Sequence, residues 1–290
     1  MVDRAGLVAH LRSLDSAVVA FSGGADSTLV AWAAHAALGQ RALAVTARCE
    51  SLPASDAEAA RELAARIGIR HEELAYSELA IPGYAANPPD RCYLCKGELY
   101  RRLVALAGER GFATILDGTN ADDEDDYRPG RRAAKEAGVH SPLAELGWRK
   151  ADIRAALQAL HLPVWNKPSS PCLSSRVPYG EPITAEKLAQ VGRAEAALRE
   201  LGFAEVRVRH HGTVARLEVP RDAMPRLLHG DLVEEVVRRV REAGFPFVAL
   251  DLEGLRSGSL NRLLASPPAG RAGSAQPPER PSPAEDGPAD

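Results

Sequence analysis

The sequence has only four cysteines, two methionines and 5% aromatic residues in 290 positions. Four cysteines are too few for a disulfide framework, and in a reducing compartment spaced thiols serve as metal ligands or reactive groups more often than as crosslinks. No apolar run reaches the length that spans a bilayer. Met1 to Leu14 carries charges throughout, in place of the apolar stretch and small-residue cleavage site of a secretory signal. The expectation is a cytoplasmic protein with no membrane partner. Charge of one sign is also missing: 36 Lys and Arg stand against 39 Asp and Glu, for a net charge of -3 and an isoelectric point near 6.3. No global field gathers nucleic acid, so a polyanion would have to be met by a local basic site. What remains is the composition of a soluble globular enzyme, 45% hydrophobic and 26% charged, long enough for one large domain or two modest ones. The sequence contains no internal repeat.

The first half alternates short apolar runs with helical stretches, the α/β pattern of a parallel sheet covered by helices. Strands are predicted at Ser16 to Phe21, Arg41 to Ala47, Ile69 to Leu74 and Ala113 to Asp117. Helices are predicted at Asp26 to Leu38, Ser55 to Ile67, Arg91 to Arg110 and Arg149 to Leu160, with Ser55 and Glu58 as a capping box. From His161 to Pro182 the chain is rich in Pro and Ser and has no period, which marks a domain boundary or an active-site linker. The second half reads as a smaller α+β unit: a helix at Thr184 to Leu201, strands at Glu205 to His210 and Thr213 to Val219, a helix at Asp231 to Ala243 and a strand at Pro246 to Leu252. Beyond about Leu264 the chain turns to Pro, Ala, Gly, Ser and acid, a composition expected to be disordered. The expected division is therefore residues 1–165, 166–264 and a tail at 265–290.

The strongest local signal is Phe21-Ser22-Gly23-Gly24-Ala25-Asp26-Ser27, where a buried strand ends and a helix begins. Gly23 and Gly24 let the backbone approach a ligand, and the new helix aims free amides and its positive dipole end at an anion. Ser22 and Ser27 add hydroxyls, while Asp26 can hold a bridging Mg2+ or cap the helix. A bare helix entry made of small residues would read the same way locally. The Walker pattern Gly-x-x-x-x-Gly-Lys is absent. The turn resembles the PP-loop of the ATP pyrophosphatases, whose members release pyrophosphate and make adenylates on an adenine nucleotide alpha hydrolase-like fold. That likeness implies ATP and Mg2+ as cofactors and leaves the acceptor open.

Five further blocks narrow the acceptor. They are Arg91-Cys92-Tyr93-Leu94-Cys95-Lys96, Asp117-Gly118-Thr119-Asn120-Ala121-Asp122-Asp123, Asp126-Tyr127-Arg128-Pro129-Gly130, the run from Trp165-Asn166-Lys167-Pro168 to Pro171-Cys172-Leu173-Ser174-Ser175-Arg176, and Val206-Arg207-Val208-Arg209-His210. Together they resemble the LarE family of ATP-dependent sulfur transferases, from about Leu14 to Asn261. The resemblance implies adenylation of a carboxylate of pyridinium-3,5-biscarboxylic acid mononucleotide and its conversion to a thiocarboxylate. It also implies a small-molecule nucleotide substrate and assembly into homo-oligomers. In the family's best-known form the counterpart of Cys172 gives up its own sulfur and becomes dehydroalanine.

This chain departs from that form because Cys92 and Cys95 accompany Cys172. Three thiolates suit a 4Fe-4S cluster with one iron left open for an extra sulfide. Zinc would want a fourth ligand, for which Cys49 or a histidine could serve. Helix-start cysteines with no shared ligand are the plain alternative. Cys49 lies near the place such folds give adenine and ribose, has no partner cysteine nearby in sequence, and reads as a bystander. Thr46 and Arg48 at the end of the second strand, with Gly118 and Asn120 at the end of the fourth, are candidates for nucleotide contact because ligands gather at the carboxyl ends of parallel strands. Arg207 and Arg209 are two apart on a strand and share a face, a pair suited to a phosphate or to an exposed polar face. Arg176 is a further candidate for a substrate phosphate or carboxylate. Glu218 could bind a metal ion or orient an arginine.

Three other functions are open on the sequence. An amidating ligase of the same superfamily would not need three cysteines. A tRNA thiolase would carry a basic surface, against which the isoelectric point speaks. A nucleotide sensor would bind ATP without turnover.

Overall fold

The computed structural model describes residues 3–123, 129–168, 171–256 and 259. Asp126, Tyr127 and Arg128 of the third block, and the tail from residue 265, lie outside the described residues. Helix α1 (Arg4–Leu11) comes first, capped by the Asp3 side chain, and was not foreseen; it lays Leu7, Val8 and Leu11 against the core. Then follow β1 (Ala17–Ala20), α2 (Ala25–Leu38), β2 (Ala42–Arg48), α3 (Ala54–Ile67), β3 (Arg70–Ala75), α4 (Arg91–Arg110) and β4 (Thr114–Leu116). Three shorter or later helices, α5 (Pro129–Glu136), α6 (Pro142–Glu145) and α7 (Lys150–Ala159), complete this part.

The four strands are all parallel, in the order β3-β2-β1-β4. Parallel neighbours need crossovers that put helices on the faces, so the central strands must be apolar on both sides. The register meets this demand. Ala17, Val19, Ala42 and Ala44 face a core shared with α1, α2, α3 and α7. Val18, Leu43 and Val45 face the opposite way, toward Tyr100, Leu103 and Ala107 of α4 and Ala133 and Ala134 of α5. The outer strand β3 carries Arg70, His71, Glu72 and Glu73, charges that keep a free sheet edge from pairing with another chain. The expected capping box at Ser55 and Glu58 is not formed. Helix α3 starts at Ala54 after Pro53, so Ser55 lies inside the first turn and no side chain caps the helix.

The second part holds α8 (Ala185–Glu200), β5 (Arg207–His211), β6 (Val214–Glu218), α9 (Met224–Leu227), α10 (Gly230–Glu242) and β7 (Phe247–Leu250). β6 is central, antiparallel to β5 and parallel to β7. Val208, Ala215 and Leu217 pack with Leu188, Val191 and Leu198 of α8 and Val236 and Val240 of α10. Pairing of Arg207 with Glu218 and of Arg209 with Arg216 puts four charged residues on the other face. That face meets the aperiodic segment, which folds into short 3-10 turns at Pro163–Asn166 and Leu173–Arg176. The described residues up to Arg256 form one compact unit, and none of their helices is long and apolar enough to cross a membrane.

Candidate active site

The glycine turn leaves β1 through Phe21, whose N–H still donates to Val45 O (2.9 Å). Ser27 Oγ donates to Gly24 O (3.2 Å) and accepts from Ser22 N–H (3.3 Å), while Gly24 N–H reaches Ser22 Oγ (3.3 Å). The two serines thus brace a loop whose remaining backbone stays open. Gly23 has φ +67° and lies against α3: a Cβ there would sit 3.0 Å from Ala60 Cα. Gly24 caps α2 without a side chain, so the N-cap residue itself leaves the first-turn amides for an anion. Asp26 stands half-buried in that first turn.

Gly118 closes the other wall. A Cβ at Gly118 would fall 2.7 Å from Ser27 N, so only glycine lets the β4 loop rest on the start of α2. Asp117 fixes this loop by accepting from Tyr100 Oη, Ser141 Oγ and both the N–H and Oγ of Thr119, at 2.7 to 3.0 Å. Asn120 is fully buried; its Oδ1 accepts from Asp122 N–H (3.0 Å), and its Nδ2 has no partner among the described residues. A buried amide donor left unpaired is costly unless a ligand completes it. These features, a braced open loop and an orphan donor beside it, fit an adenine nucleotide with its phosphates at α2. Thr46 is buried and donates to Phe21 O (2.8 Å) while accepting from His71 Nε2 (2.8 Å), so its hydroxyl ties β2 to the turn. Arg48 is exposed and pairs with Glu73 (3.0 Å) at the sheet edge.

The cysteines gather around a residue that sequence reasoning missed. Glu78, 2% exposed, accepts from Cys95 Sγ–H (2.8 Å) and Tyr84 Oη (2.8 Å), and Tyr84 accepts in turn from Ser174 Oγ (2.6 Å). Burial and then the Glu78 charge push the Cys49 thiol up to about 12. The same two causes raise Cys95. Burial also raises Cys172, with the Arg91 guanidinium pulling against it and Glu78 and Cys92 adding to the rise. Cys49 is therefore no distant bystander in space: Ser51, which follows it, accepts from Leu173 N–H (2.9 Å) next to Cys172. Cys92 is exposed at the start of α4.

Among the described residues, no group of three or more His, Cys, Asp or Glu is arranged to hold a metal ion. Cys95 is engaged with Glu78, so the three thiols, whose donor chemistry suits iron, are not gathered on one centre in the described arrangement. Glu218 is likewise taken. It accepts from Arg209 Nη2 (2.8 Å) and Arg216 Nη2 (3.3 Å), which is the arginine-orienting option of its two expected roles.

Arg176 is 2% exposed and forms a two-point bridge to Glu195 (2.7 and 3.1 Å), while its Nη1 donates to Pro171 O (2.8 Å) and Ser175 Oγ (2.9 Å). It shapes the Cys172 turn from beneath. Arg209 Nη1 holds the same turn through Ser175 O (2.7 Å). Arg207 donates to Arg256 O (2.9 Å) and has no ion-pair partner among the described residues. Burial and the charges of Arg176 and Arg209 lower its pKa. A guanidinium so placed gains from an added anion. Glu195 also escaped sequence reasoning, although a visible signal existed: it is an acid within the apolar stripe of Leu188, Val191, Ala194 and Leu198 on α8.

A parallel sheet whose first strand runs through a Ser-Gly-Gly-x-Asp-Ser turn into a helix, with an orphan donor past the end of the neighbouring strand β4, defines an ATP-using enzyme of the PP-loop class. A family model described as asparagine synthase matches residues 6–88. The uncharacterized protein slr1717 of Synechocystis sp. is 51% identical over 251 residues, covering 87% of this chain and 94% of that one. The pyridinium-3,5-bisthiocarboxylic acid mononucleotide synthase of Lactiplantibacillus plantarum is 42% identical over 265 residues, 90% of this chain and 94% of that enzyme. An uncharacterized protein of Methanocaldococcus jannaschii is 31% identical over 171 residues, 59% of this chain and 66% of that one. The chain belongs to the LarE family of ATP-dependent sulfur transferases.

Proposed function

We propose that this enzyme adenylates a carboxylate of pyridinium-3,5-biscarboxylic acid mononucleotide with ATP and replaces the activated oxygen by sulfur delivered at Cys172. The observation that carries the reading is the span of one helix. α4 starts with Cys92 and Cys95 and, eight residues after Cys92, presents Tyr100 to Asp117, beside the Gly118 that touches Ser27. At 1.5 Å per residue this separates Cys92 and Cys95 from the Tyr100 level by roughly 12 and 8 Å along the helix, the scale of a mononucleotide.

In the first step a carboxylate oxygen attacks the α-phosphorus and the bond to pyrophosphate breaks. The amides of Gly24 and the first turn of α2, with Ser22 and Ser27, hold the phosphates, and Asp26 would hold Mg2+ there. Asn120 and Gly118 receive the nucleoside, with Thr46 and Arg48 on the adjoining strand end. In the second step a Cys172 thiolate attacks the adenylate carbon and AMP leaves with the bonding pair. Loss of the Cys172 α-proton then breaks its Cβ–S bond, leaving dehydroalanine and the thiocarboxylate. Arg207 and Arg209 bind the substrate's own phosphate, and Arg176 acts through the shape of the Cys172 turn. Residues 1–165 do the nucleotide chemistry, and 166–264 carry sulfur and substrate. A cytoplasmic homo-oligomer is part of the same reading.

A second source of sulfur has one observation in its favour: Cys172 lies within electrostatic reach of both Cys92 and Cys95. In that version Cys92, Cys95 and Cys172 would hold a 4Fe-4S cluster in place of the Cys95–Glu78 bond, and the cluster would supply the sulfide. The test is product analysis with the synthetic dicarboxylate, ATP and Mg2+. AMP, pyrophosphate and a thiocarboxylate support the proposal; nitrogen on the acceptor points to a ligase, and thiolated RNA to a tRNA enzyme. Anaerobic iron and sulfide counts on the same preparation, set against the mass of the Cys172 peptide after turnover, separate the two sources.

A further inference from the structure

Arg91 is 3% exposed and has no carboxylate within ion-pair distance among the described residues. The other deeply buried arginines bonded to the Cys172 turn, Arg176 and Arg209, each own a glutamate. The groups around Arg91 are instead the thiols of Cys172 and Cys92 and the phenols of Tyr84 and Tyr179. A lone buried guanidinium is tolerated only where the site supplies negative charge in another form.

Its hydrogen bonds are as informative as its missing partner. Nη1 donates to Ser174 O (3.0 Å), two residues past Cys172, and to Asn87 Oδ1 (2.5 Å). Asn87 is fully buried at φ +55°, a region that asparagine tolerates better than most residues, and its Nδ2 donates to Val177 O (3.2 Å) and Pro178 O (2.7 Å). Arg91 and Asn87 together therefore clasp the segment on the far side of Cys172 and join it to the first turn of α4, where Cys92 and Cys95 sit. Nε and Nη2 of Arg91 have no hydrogen bond to the described residues.

Resting on the reading above, we infer that Arg91 is a positioning residue for sulfur transfer alone. It registers the Cys172 turn against the Cys92 and Cys95 helix, and it provides the positive charge against which sulfur is carried as an anion. It takes no part in adenylation, because none of its contacts reaches the glycine turn.

The test uses the full chain with Arg91→Gln, Arg91→Lys and Asn87→Ala, and measures pyrophosphate release and thiocarboxylate formation in the same reactions. Arg91→Gln is expected to keep the rate of pyrophosphate release and its dependence on ATP concentration within about twofold, while the single-turnover rate of thiocarboxylate formation falls about a hundredfold, the scale of a misplaced reacting group. Arg91→Lys, which keeps the charge but not the planar shape and reach of the guanidinium, recovers part of that loss. Asn87→Ala, with charge intact, loses less than Arg91→Gln. If Arg91→Gln fails to fold, the same split in Arg91→Lys decides the matter. Equal loss of both products, or a thiocarboxylate rate unchanged in Arg91→Gln, overturns the inference. A wild-type protein that releases no pyrophosphate with the acid overturns the functional reading itself, which is a different failure.

Discussion

The nucleotide turn and the cysteine turn are built on opposite principles. The first is made of backbone: two glycines, two serines bonded to each other and a helix start, with Asp26 its one charged side chain. The second is made of buried charge, since Arg91, Arg176, Arg209, Glu78, Glu195 and Glu218 are all under a tenth exposed and most of them touch the Cys172 segment or its partners. A phosphate can be met by amides that the fold aligns in any case, whereas an anionic sulfur needs charges placed by distant segments. The two regions should accordingly fail in different ways.

The largest difference is expected from Cys172→Ala. Thiocarboxylate formation should fall about a thousandfold or more, as for loss of a nucleophile, while pyrophosphate release continues. Assay of both products checks this, and parallel loss of both would erase the contrast. Next comes Gly118→Ala, which forces backbone against Ser27 N and should lower pyrophosphate release about a hundredfold with the Cys172 turn intact, as read by stopped-time product assay. Stability should divide the regions as well. Glu195→Ala leaves Arg176 buried and uncompensated and should cost about 3 to 5 kcal/mol in urea unfolding. Thr46→Val removes the bonds to Phe21 O and His71 Nε2 beside the nucleotide turn and should cost less, about 1 to 2 kcal/mol.

The smallest effect is a pH dependence. The Cys49 thiol is raised in the folded state to about 12 by burial and by Glu78, so the folded protein holds that proton more tightly than the unfolded chain. Stability from this source is whole below the ordinary thiol range and is lost as pH rises from about 9 toward 12. Cys49→Ala should make the alkaline fall in unfolding free energy shallower. An unchanged slope would remove Cys49 from the buried charge network.

The same contrast explains what could be read in advance. The parallel sheet was legible because Val18, Val19, Leu43 and Val45 bury both strand faces, and a run apolar on both sides has few other places to go. The glycine turn was legible because its parts are contiguous. Arg207 and Arg209 were placed on one strand face by simple alternation, and the register agrees. The cysteine surroundings were not legible in the same way. Glu78 and Asn87 lie in a segment with no period, and their partners Cys95, Ser174 and Pro178 are set by the tertiary fold, with no spacing in sequence to announce them. Helix α1 went unseen because its eight residues carry a short apolar pattern interrupted by charge, and its packing on α2 decides its form. Ser55 shows the reverse error: a capping signature was present, but the chain entered the helix at Ala54 and left it unused.

The central claim is that a carboxylate of the acceptor attacks the inner phosphorus of ATP at the Ser22–Ser27 turn. The most direct measurement starts from acceptor acid labelled with 18O in its carboxylates and follows the label by mass spectrometry in the nucleotide products. One labelled oxygen per turnover should appear in AMP, alongside unlabelled pyrophosphate and the thiocarboxylate. Label in inorganic phosphate together with ADP, or AMP formed without label, would contradict the account.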